Sequence, residues 1–147
     1  MYNKILVALD ASTADEALLP HIAELAKIHG SQLLLIHVSD GWVARNFEKF
    51  ELAESQEMKA DRQYLEDTAQ KLRADGLKVE TKLALGDPPR EVLKAAESEN
   101  CDLIAMTTHG HRLIGDIFFG TTIEKVRHAS FIPLLVVRSH EKPVPIV

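Results

Sequence analysis

The sequence is poor in cysteine, with a single one, Cys101, among 147 residues. One cysteine excludes an intramolecular disulfide and a cysteine-based zinc site, and this is typical of a reducing cytoplasm. An excess of positive charge is also missing, since 17 basic residues against 22 acidic ones give a net charge of -5. The chain therefore lacks the basic footprint of a nucleic-acid-binding protein. No apolar run approaches the roughly 20 residues of a membrane-spanning helix, so a membrane partner is not expected either.

Several sequence signatures of nucleotide enzymes are missing as well. The chain has no Gly-x-x-x-x-Gly-Lys-Ser/Thr phosphate loop, no Gly-x-Gly-x-x-Gly after its first apolar run and no Gly-x-Ser-x-Gly elbow. The major nucleotide-hydrolase and dehydrogenase routes therefore have no support. The first residues also lack a signal-peptide layout, which adds to the expectation of a cytoplasmic protein.

What the chain does contain is an alternation of short apolar runs with stretches of helical periodicity. The runs predict strands over residues 5–9, 32–38, 77–85, 103–106 and 132–137. Strands that alternate with helices indicate an α/β fold with a parallel sheet, right-handed crossovers and helices on both faces. The composition marks no internal boundary, so we expect one domain over residues 1–147.

Capping residues predict where the helices begin and end. Two pairs have the Thr-x-x-Glu spacing of a capping box, in which each side chain bonds a free backbone amide: Thr13–Glu16 and Thr121–Glu124. Asp87 followed by Pro88 predicts a further helix start. Gly30 predicts the end of the first helix.

The carboxyl ends of the predicted strands carry small and acidic residues, at the edge where open α/β sheets bind ligands. These positions are Asp10, Val38, Gly86, Met106 and Thr107. Each has a simpler explanation, since such an aspartate often only caps a loop and such a glycine often only makes a turn. Their coincidence at one edge indicates a ligand-binding site.

The stretch before the last predicted helix adds a second signal. Gly110 lets the backbone approach a ligand closely, and Gly120 with Thr121 would place free amides and a hydroxyl at a helix start. A helix start favours an anion, so the pattern describes a phosphate cradle without a lysine. The alternative is that Thr121 only caps its helix, and for this pair alone that alternative is the simpler one.

With these residues in view, the chain resembles the universal stress protein family along nearly its whole length. The resemblance rests on residues 4–10, 35–38, 86–88, 101–104, 108–112, 120–121 and 133–137. The family's nucleotide-binding pattern reads Gly, two residues, Gly, nine residues, Gly, then Ser or Thr. Gly110, Gly120 and Thr121 match its last three positions, whereas Thr107 stands where the first glycine is expected.

The resemblance implies a Rossmann-like fold of the adenine nucleotide alpha hydrolase type, with an open five-stranded parallel sheet in the order 3-2-1-4-5. It implies ATP or AMP as ligand, with Mg²⁺ as a candidate companion. The implied contacts are Asp10 at the ribose or adenine, Val38 at the adenine edge, Gly86 at the ribose, Met106 and Thr107 in the pocket floor, and Gly110, Gly120, Thr121 and Thr122 at the phosphates. It also implies a homodimer through the last strand, which agrees with the apolar character of residues 132–137 at a predicted sheet edge.

Three hypotheses about function remain open at this point. The first is a cytoplasmic, homodimeric stress-response protein that binds ATP or AMP as a regulatory switch and acts through an unknown protein partner. The second is a slow ATPase or phosphotransferase assisted by His109 or Asp10. The third is a dimeric adaptor without nucleotide, because β-branched Thr107 narrows the space beside the ribose and phosphate. No catalytic residue and no metal ligand is assigned.

Overall fold

The computed structural model describes residues 1–39, 56–108 and 115–139, with the backbone alone described over 115–121. The elements alternate as the sequence predicts. They are β1 (Lys4–Ala8), α1 (Asp15–His29), β2 (Gln32–Ser39), α2 (Gln56–Ala74), β3 (Lys78–Leu85), α3 (Pro88–Ser98), β4 (Leu103–Thr107), α4 (Gly115–Ala129) and β5 (Leu134–Val137).

The strands form one sheet of five, ordered β3-β2-β1-β4-β5, and every pairing is parallel. The predicted fold class and strand order are confirmed. From β1 the chain adds β2 and β3 on one side, and it then crosses to place β4 and β5 on the other. The strand order therefore reverses between β1 and β4, and in open α/β sheets the carboxyl ends of the strands at such a reversal commonly form a ligand crevice.

The core has two layers, one on each face of the sheet. Ile5 and Val7 of β1 pack on one face with buried residues of α1 and α2. Leu6 and Ala8 pack on the other face with buried residues of α3 and α4. Because successive side chains of a strand point to opposite faces, a strand covered on both sides must be apolar at every position. This explains the continuous apolar runs in the sequence.

The two edges of the sheet differ in character. The edge strand β3 carries the charged residues Lys78, Glu80 and Lys82. The opposite edge strand, β5, consists of four apolar residues, Leu134–Val137. It is two residues shorter than predicted, because the amide of Ile132 bonds the Ser130 hydroxyl at 3.1 Å and Pro133 has no amide to donate to a neighbouring strand.

Two predicted helix ends are confirmed. Gly30 adopts a left-handed φ of 64° after α1, and its amide bonds the carbonyl of Ala26. Asp87 caps α3, since its carboxylate accepts a hydrogen bond from the Arg90 amide at 3.4 Å, and Pro88 is the first helical residue. Gly30 adopts the positive φ of a helix end without strain. Pro88 suits the first helical position because its φ is already fixed near the helical value and it has no amide that would need an acceptor.

The capping box predicted at Thr13 is wrong. Helix α1 begins at Asp15, and the preceding Ala14 has helical angles and makes no side-chain cap. A helical turn already forms before that point, because the amide of Glu16 bonds the carbonyl of Thr13 at 3.1 Å. The carboxylate of Asp15 instead turns back toward the end of β1.

The capping box predicted at Thr121 is also wrong, together with the helix start at Gly120. Helix α4 begins at Gly115, so both residues lie inside it. Residues 115–119 contain no proline that would stop a helix. An interior glycine costs only about 1 kcal/mol relative to alanine, which the rest of the helix offsets.

Candidate functional site

The predicted site residues at the ends of strands lie along one edge of the sheet. Asp10 lies shortly after β1, and Gly86 lies directly after β3. Val38 is the last but one residue of β2, and Met106 and Thr107 are the last two residues of β4. Backbone pairing continues past the strand ends, from the Leu9 amide to the Ile36 carbonyl at 2.8 Å and from the Gly86 amide to the Ser39 carbonyl at 3.2 Å. The backbone is therefore still hydrogen-bonded to the neighbouring strand just before Asp10 and at Gly86.

The predicted phosphate residues are placed differently. Gly110 lies outside the described residues. Inside a helix each amide bonds the carbonyl four residues earlier, so Gly120 and Thr121 do not present the free helix-start amides that the sequence predicts. Thr122, one residue further along α4, is 4% exposed.

The carboxylate of Asp10 belongs to a hydrogen-bonded loop between β1 and α1. It accepts a bond from the Ser12 hydroxyl at 2.7 Å, and that hydroxyl oxygen accepts one from the Ala14 amide at 3.3 Å. Asp10 is 7% exposed. The loop thus holds a carboxylate at the strand-order reversal in one orientation.

A second carboxylate, that of Asp15, holds the same loop from beneath. Its two oxygens accept hydrogen bonds from the amides of Asp10 and Ala11, both at 2.9 Å. The Tyr64 hydroxyl of α2 donates to the same carboxylate at 2.7 Å. Burial raises the pKa of Asp15, and the hydrogen bonds from Asp10, Tyr64 and Ala11 oppose that rise. Burial and the negative charge of Asp15 raise the pKa of Tyr64, so the phenol remains a donor.

A buried polar cluster formed by His37, Ser39 and Asp61 lies beside this loop. Nδ1 of His37 lies 2.9 Å from the Leu9 carbonyl, and because a carbonyl only accepts, Nδ1 carries the proton. Nε2 of the same ring lies 3.4 Å from Oδ2 of Asp61, and the Ser39 hydroxyl donates to that oxygen at 3.4 Å. The cluster joins β2 and α2 to the last residue before Asp10.

Sequence reasoning missed the residues that support the loop, namely Asp15, His37, Asp61 and Tyr64. A signal was present for two of them, His37 and Asp61. His37 interrupts an apolar strand, and Asp61 shares a helical face with buried Leu65 and Leu72. A polar residue on an apolar stripe indicates a buried polar contact, because burial without a partner is costly.

Thr107 is fully buried, at 0% exposure, and its hydroxyl has no hydrogen-bond partner among the described residues. It ends β4 in extended backbone, paired with Val137. Strand alternation puts its side chain on the same face as Leu103 and Ala105, toward α1, whereas Met106 packs toward α3 and α4. The side chains of Met106 and Thr107 therefore do not line one pocket floor together.

A groove of about 650 Å³ runs between α1 and α2, with Ser12 and Tyr64 among its lining residues. It lies on the face of the sheet opposite to Met106. Val38, the residue predicted at the adenine edge, packs on the side of Met106. The groove therefore borders the loop that holds Asp10, but it lies on the face of the sheet opposite to Val38 and Met106.

The described residues give little support for a metal site, a membrane-spanning helix or a nucleophilic thiol. Within them, no three histidine, cysteine or acidic residues come together as metal ligands, and no helix is long and apolar enough to cross a membrane. The Cys101 thiol is buried, which raises its pKa to about 11. A thiol with that pKa supplies little nucleophilic thiolate at neutral pH.

These features define a class of protein: a doubly wound α/β domain of the adenine nucleotide alpha hydrolase-like fold, with a polar loop at its strand-order reversal. A model of the universal stress protein family matches residues 1–138, and the chain belongs to that family.

The chain is similar to the universal stress protein MJ0577 of Methanocaldococcus jannaschii, with 28% identity over 155 residues that cover 94% of this chain and 96% of the relative. The solved structure of MJ0577 superposes with a TM-score of 0.80 and 31% identity, over 97% of this chain and 99% of the other. A universal stress protein from Archaeoglobus fulgidus, solved with dAMP, shares the fold at a TM-score of 0.69 and 20% identity, over 92% and 98% of the chains. Another universal stress protein, solved with cAMP, shares the fold at a TM-score of 0.65 and 17% identity, over 93% of this chain and 97% of the other.

Proposed function

We propose that the protein binds an adenine nucleotide, ATP or AMP, in the crevice between the carboxyl ends of β1 and β4. The observation that carries this proposal is the fixed loop at Asp10, which presents a buried carboxylate where the strand order reverses. Crevices of this kind are the usual ligand sites of open α/β sheets. Relatives of the same fold solved with dAMP and cAMP support an adenine nucleotide as the ligand.

In this proposal Asp10 contacts the ribose or the adenine, and the backbone of Val38 reads the adenine edge. Gly86 lies beside the ribose. Its φ of 135° is accessible to glycine and strained for other residues, so the turn after β3 keeps the edge free of a side chain. Met106 would form the floor of the pocket, because it lies in the core layer between the sheet and helices α3 and α4, on which Val38 also packs.

Thr107 does not close the proposed pocket. Its side chain is fully buried and faces the α1 layer rather than the open crevice. Its backbone is extended, so the position needs none of glycine's freedom at positive φ. This argues against an adaptor whose pocket has been lost through Thr107.

The phosphates would bind at Gly110, Gly120, Thr121 and Thr122. Free amides at Gly120 and Thr121 require α4 to begin later than Gly115, where it begins in the structure. We therefore propose a regulatory switch in which nucleotide favours a form with a shorter α4, because only that form offers a helix start to the phosphates. Any Mg²⁺ would take its ligands mainly from phosphate oxygens and water, as this ion commonly does.

The finer points of the proposal concern assembly and context. The protein would act as one domain in the cytoplasm, in a stress response and through a protein partner. Two copies would pair through β5, whose Val136 is 36% exposed at the sheet edge. An apolar edge strand is a ready template for such pairing.

The proposal is tested by denaturing freshly purified protein, identifying any released nucleotide by mass spectrometry, and titrating ATP and AMP by calorimetry with and without Mg²⁺. Asp10→Asn should weaken binding about tenfold or more, because a charge-assisted contact becomes a neutral one. Asp102→Asn is the matched control, because Asp102 accepts hydrogen bonds from the amides of Asn3 and Lys4 at the amino ends of the strands, away from the proposed site. Wild-type protein that releases no nucleotide and takes up none at millimolar concentration would refute the proposal.

A further inference from the structure

We propose that Asp15 and Tyr64 are positioning residues, which hold the backbone of Asp10 and Ala11 in the shape that nucleotide binding requires. This inference rests on the proposed function and adds to it two residues that contact no ligand themselves. Both lie below the loop, Asp15 at the start of α1 and Tyr64 in α2.

Asp15 accepts hydrogen bonds from backbone amides that water could otherwise satisfy. A surface loop can satisfy its amides with water, but here two successive amides donate to one buried carboxylate at 2.9 Å each. Asp15 is 1% exposed, and burying a carboxylate is costly even when it is well hydrogen-bonded. The arrangement gives the loop one backbone geometry that water would not impose.

The backbone of Ala11, in the same loop, is strained, with a φ of 59°. Left-handed backbone is uncommon for a residue with a Cβ and persists only where the surroundings enforce it. The amide of Ala11 is one of the two that Asp15 holds. The hydrogen bond and the strained conformation thus occur at the same peptide, directly after the carboxylate that the proposed nucleotide would meet.

The loop is supported by side chains from separate elements of the fold. Tyr64 reaches from α2 to Asp15 at 2.7 Å, and His37 reaches from β2 to the Leu9 carbonyl at 2.9 Å. Side chains therefore hold backbone groups of three consecutive residues, from Leu9 to Ala11. Preorganisation of this kind lowers the ordering cost of binding and so increases affinity.

The test compares Tyr64→Phe and Asp15→Asn with wild-type protein under conditions where all variants are fully folded. Tyr64→Phe removes only the hydroxyl, and Asp15→Asn replaces one acceptor by a donor that faces a backbone amide. Arg73→Met is the control, because Arg73 is also in α2 and bonds the Val79 carbonyl at 3.1 and 2.7 Å, far from the loop. Two quantities are measured for each variant: the Kd for AMP and ATP, and the hydrogen-exchange rates of the Asp10 and Ala11 amides.

We expect the Kd to rise about fivefold in Tyr64→Phe and more than tenfold in Asp15→Asn, with faster exchange at both amides, while Arg73→Met keeps the wild-type Kd within about twofold. A Kd unchanged in both loop variants, or raised equally in the control, would overturn the positioning role. Wild-type protein that binds no adenine nucleotide would refute the proposed function and, with it, the nucleotide role of Asp15. Amides that exchange at the wild-type rate in both loop variants would refute the hold on the loop, whatever the protein binds.

Discussion

Replacing Thr107 by valine should make the protein more stable without changing its affinity for nucleotide. The Thr107 hydroxyl is fully buried and has no hydrogen-bond partner among the described residues. Valine has nearly the same shape and fills the same space with a methyl group. The substitution therefore removes a desolvation cost and leaves the packing of β4 against β1 and β5 intact.

The magnitude follows from the cost of an unpaired hydroxyl. An unsatisfied buried hydroxyl costs about 1–3 kcal/mol in protein mutational data. We expect Thr107→Val to recover about 1–2 kcal/mol of that cost as added free energy of unfolding. For a chain of about 150 residues each kcal/mol shifts the Tm by roughly 2–4 °C, so an increase of about 2–8 °C is expected.

The assay combines thermal and urea unfolding with calorimetric titration of AMP and ATP. The Kd should stay within about twofold of wild type, because the side chain faces α1 and not the crevice. Thr107→Gly is the companion variant, and it should lose stability without gaining affinity, since glycine weakens a strand and leaves a cavity. A less stable Thr107→Val protein would show that the hydroxyl is satisfied, and tighter binding by Thr107→Gly would show that the side chain obstructs the pocket.

Three further predictions concern pH, a strained glycine and the edge of the sheet. Burial raises the pKa of Asp15, so the folded state holds this proton more tightly than the unfolded chain does. The contribution of Asp15 to the free energy of unfolding should therefore fall as pH rises from about 3.9, the ordinary pKa of an aspartate, to the raised value. Above that value it should level off. Urea unfolding between pH 4 and 7 should show this slope in wild type and not in Asp15→Asn; equal slopes would contradict it. Gly86→Ala should cost about 1–3 kcal/mol in thermal unfolding, since a φ of 135° strains any residue with a Cβ, and a neutral effect would contradict that strain. Val136→Lys should convert a dimer to a monomer in light scattering, whereas Ile28→Lys on α1, where Ile28 is 77% exposed, should not, and an unchanged mass would argue against pairing through β5.

The fold could be predicted from the sequence because its signals are local. A strand buried on both faces must be apolar throughout, and the four residues from Ile5 to Ala8 meet that condition. Gly30 and Asp87 define helix ends through their own backbone angle or side chain. Such features do not depend on what lies elsewhere in the chain.

The support of the site could not be predicted, because its contacts are long-range. Tyr64 bonds a residue 49 positions away, and His37 bonds one 28 positions away. The start of α4 was mispredicted for a different reason. The Thr-x-x-Glu spacing at Thr121 fits a helix interior as well as a helix start, and only the preceding residues decide between them.

The unlike edges of the sheet limit how copies of the protein can assemble. Lys78, Glu80 and Lys82 would bring like charges together if two β3 strands met, so that edge repels further strands. Of the two edges of the described sheet, β5 is the one with an apolar strand available for pairing, and one pairing through it covers that strand. A particle built this way closes at two copies around a twofold axis and has no free template left from which a fibre could grow.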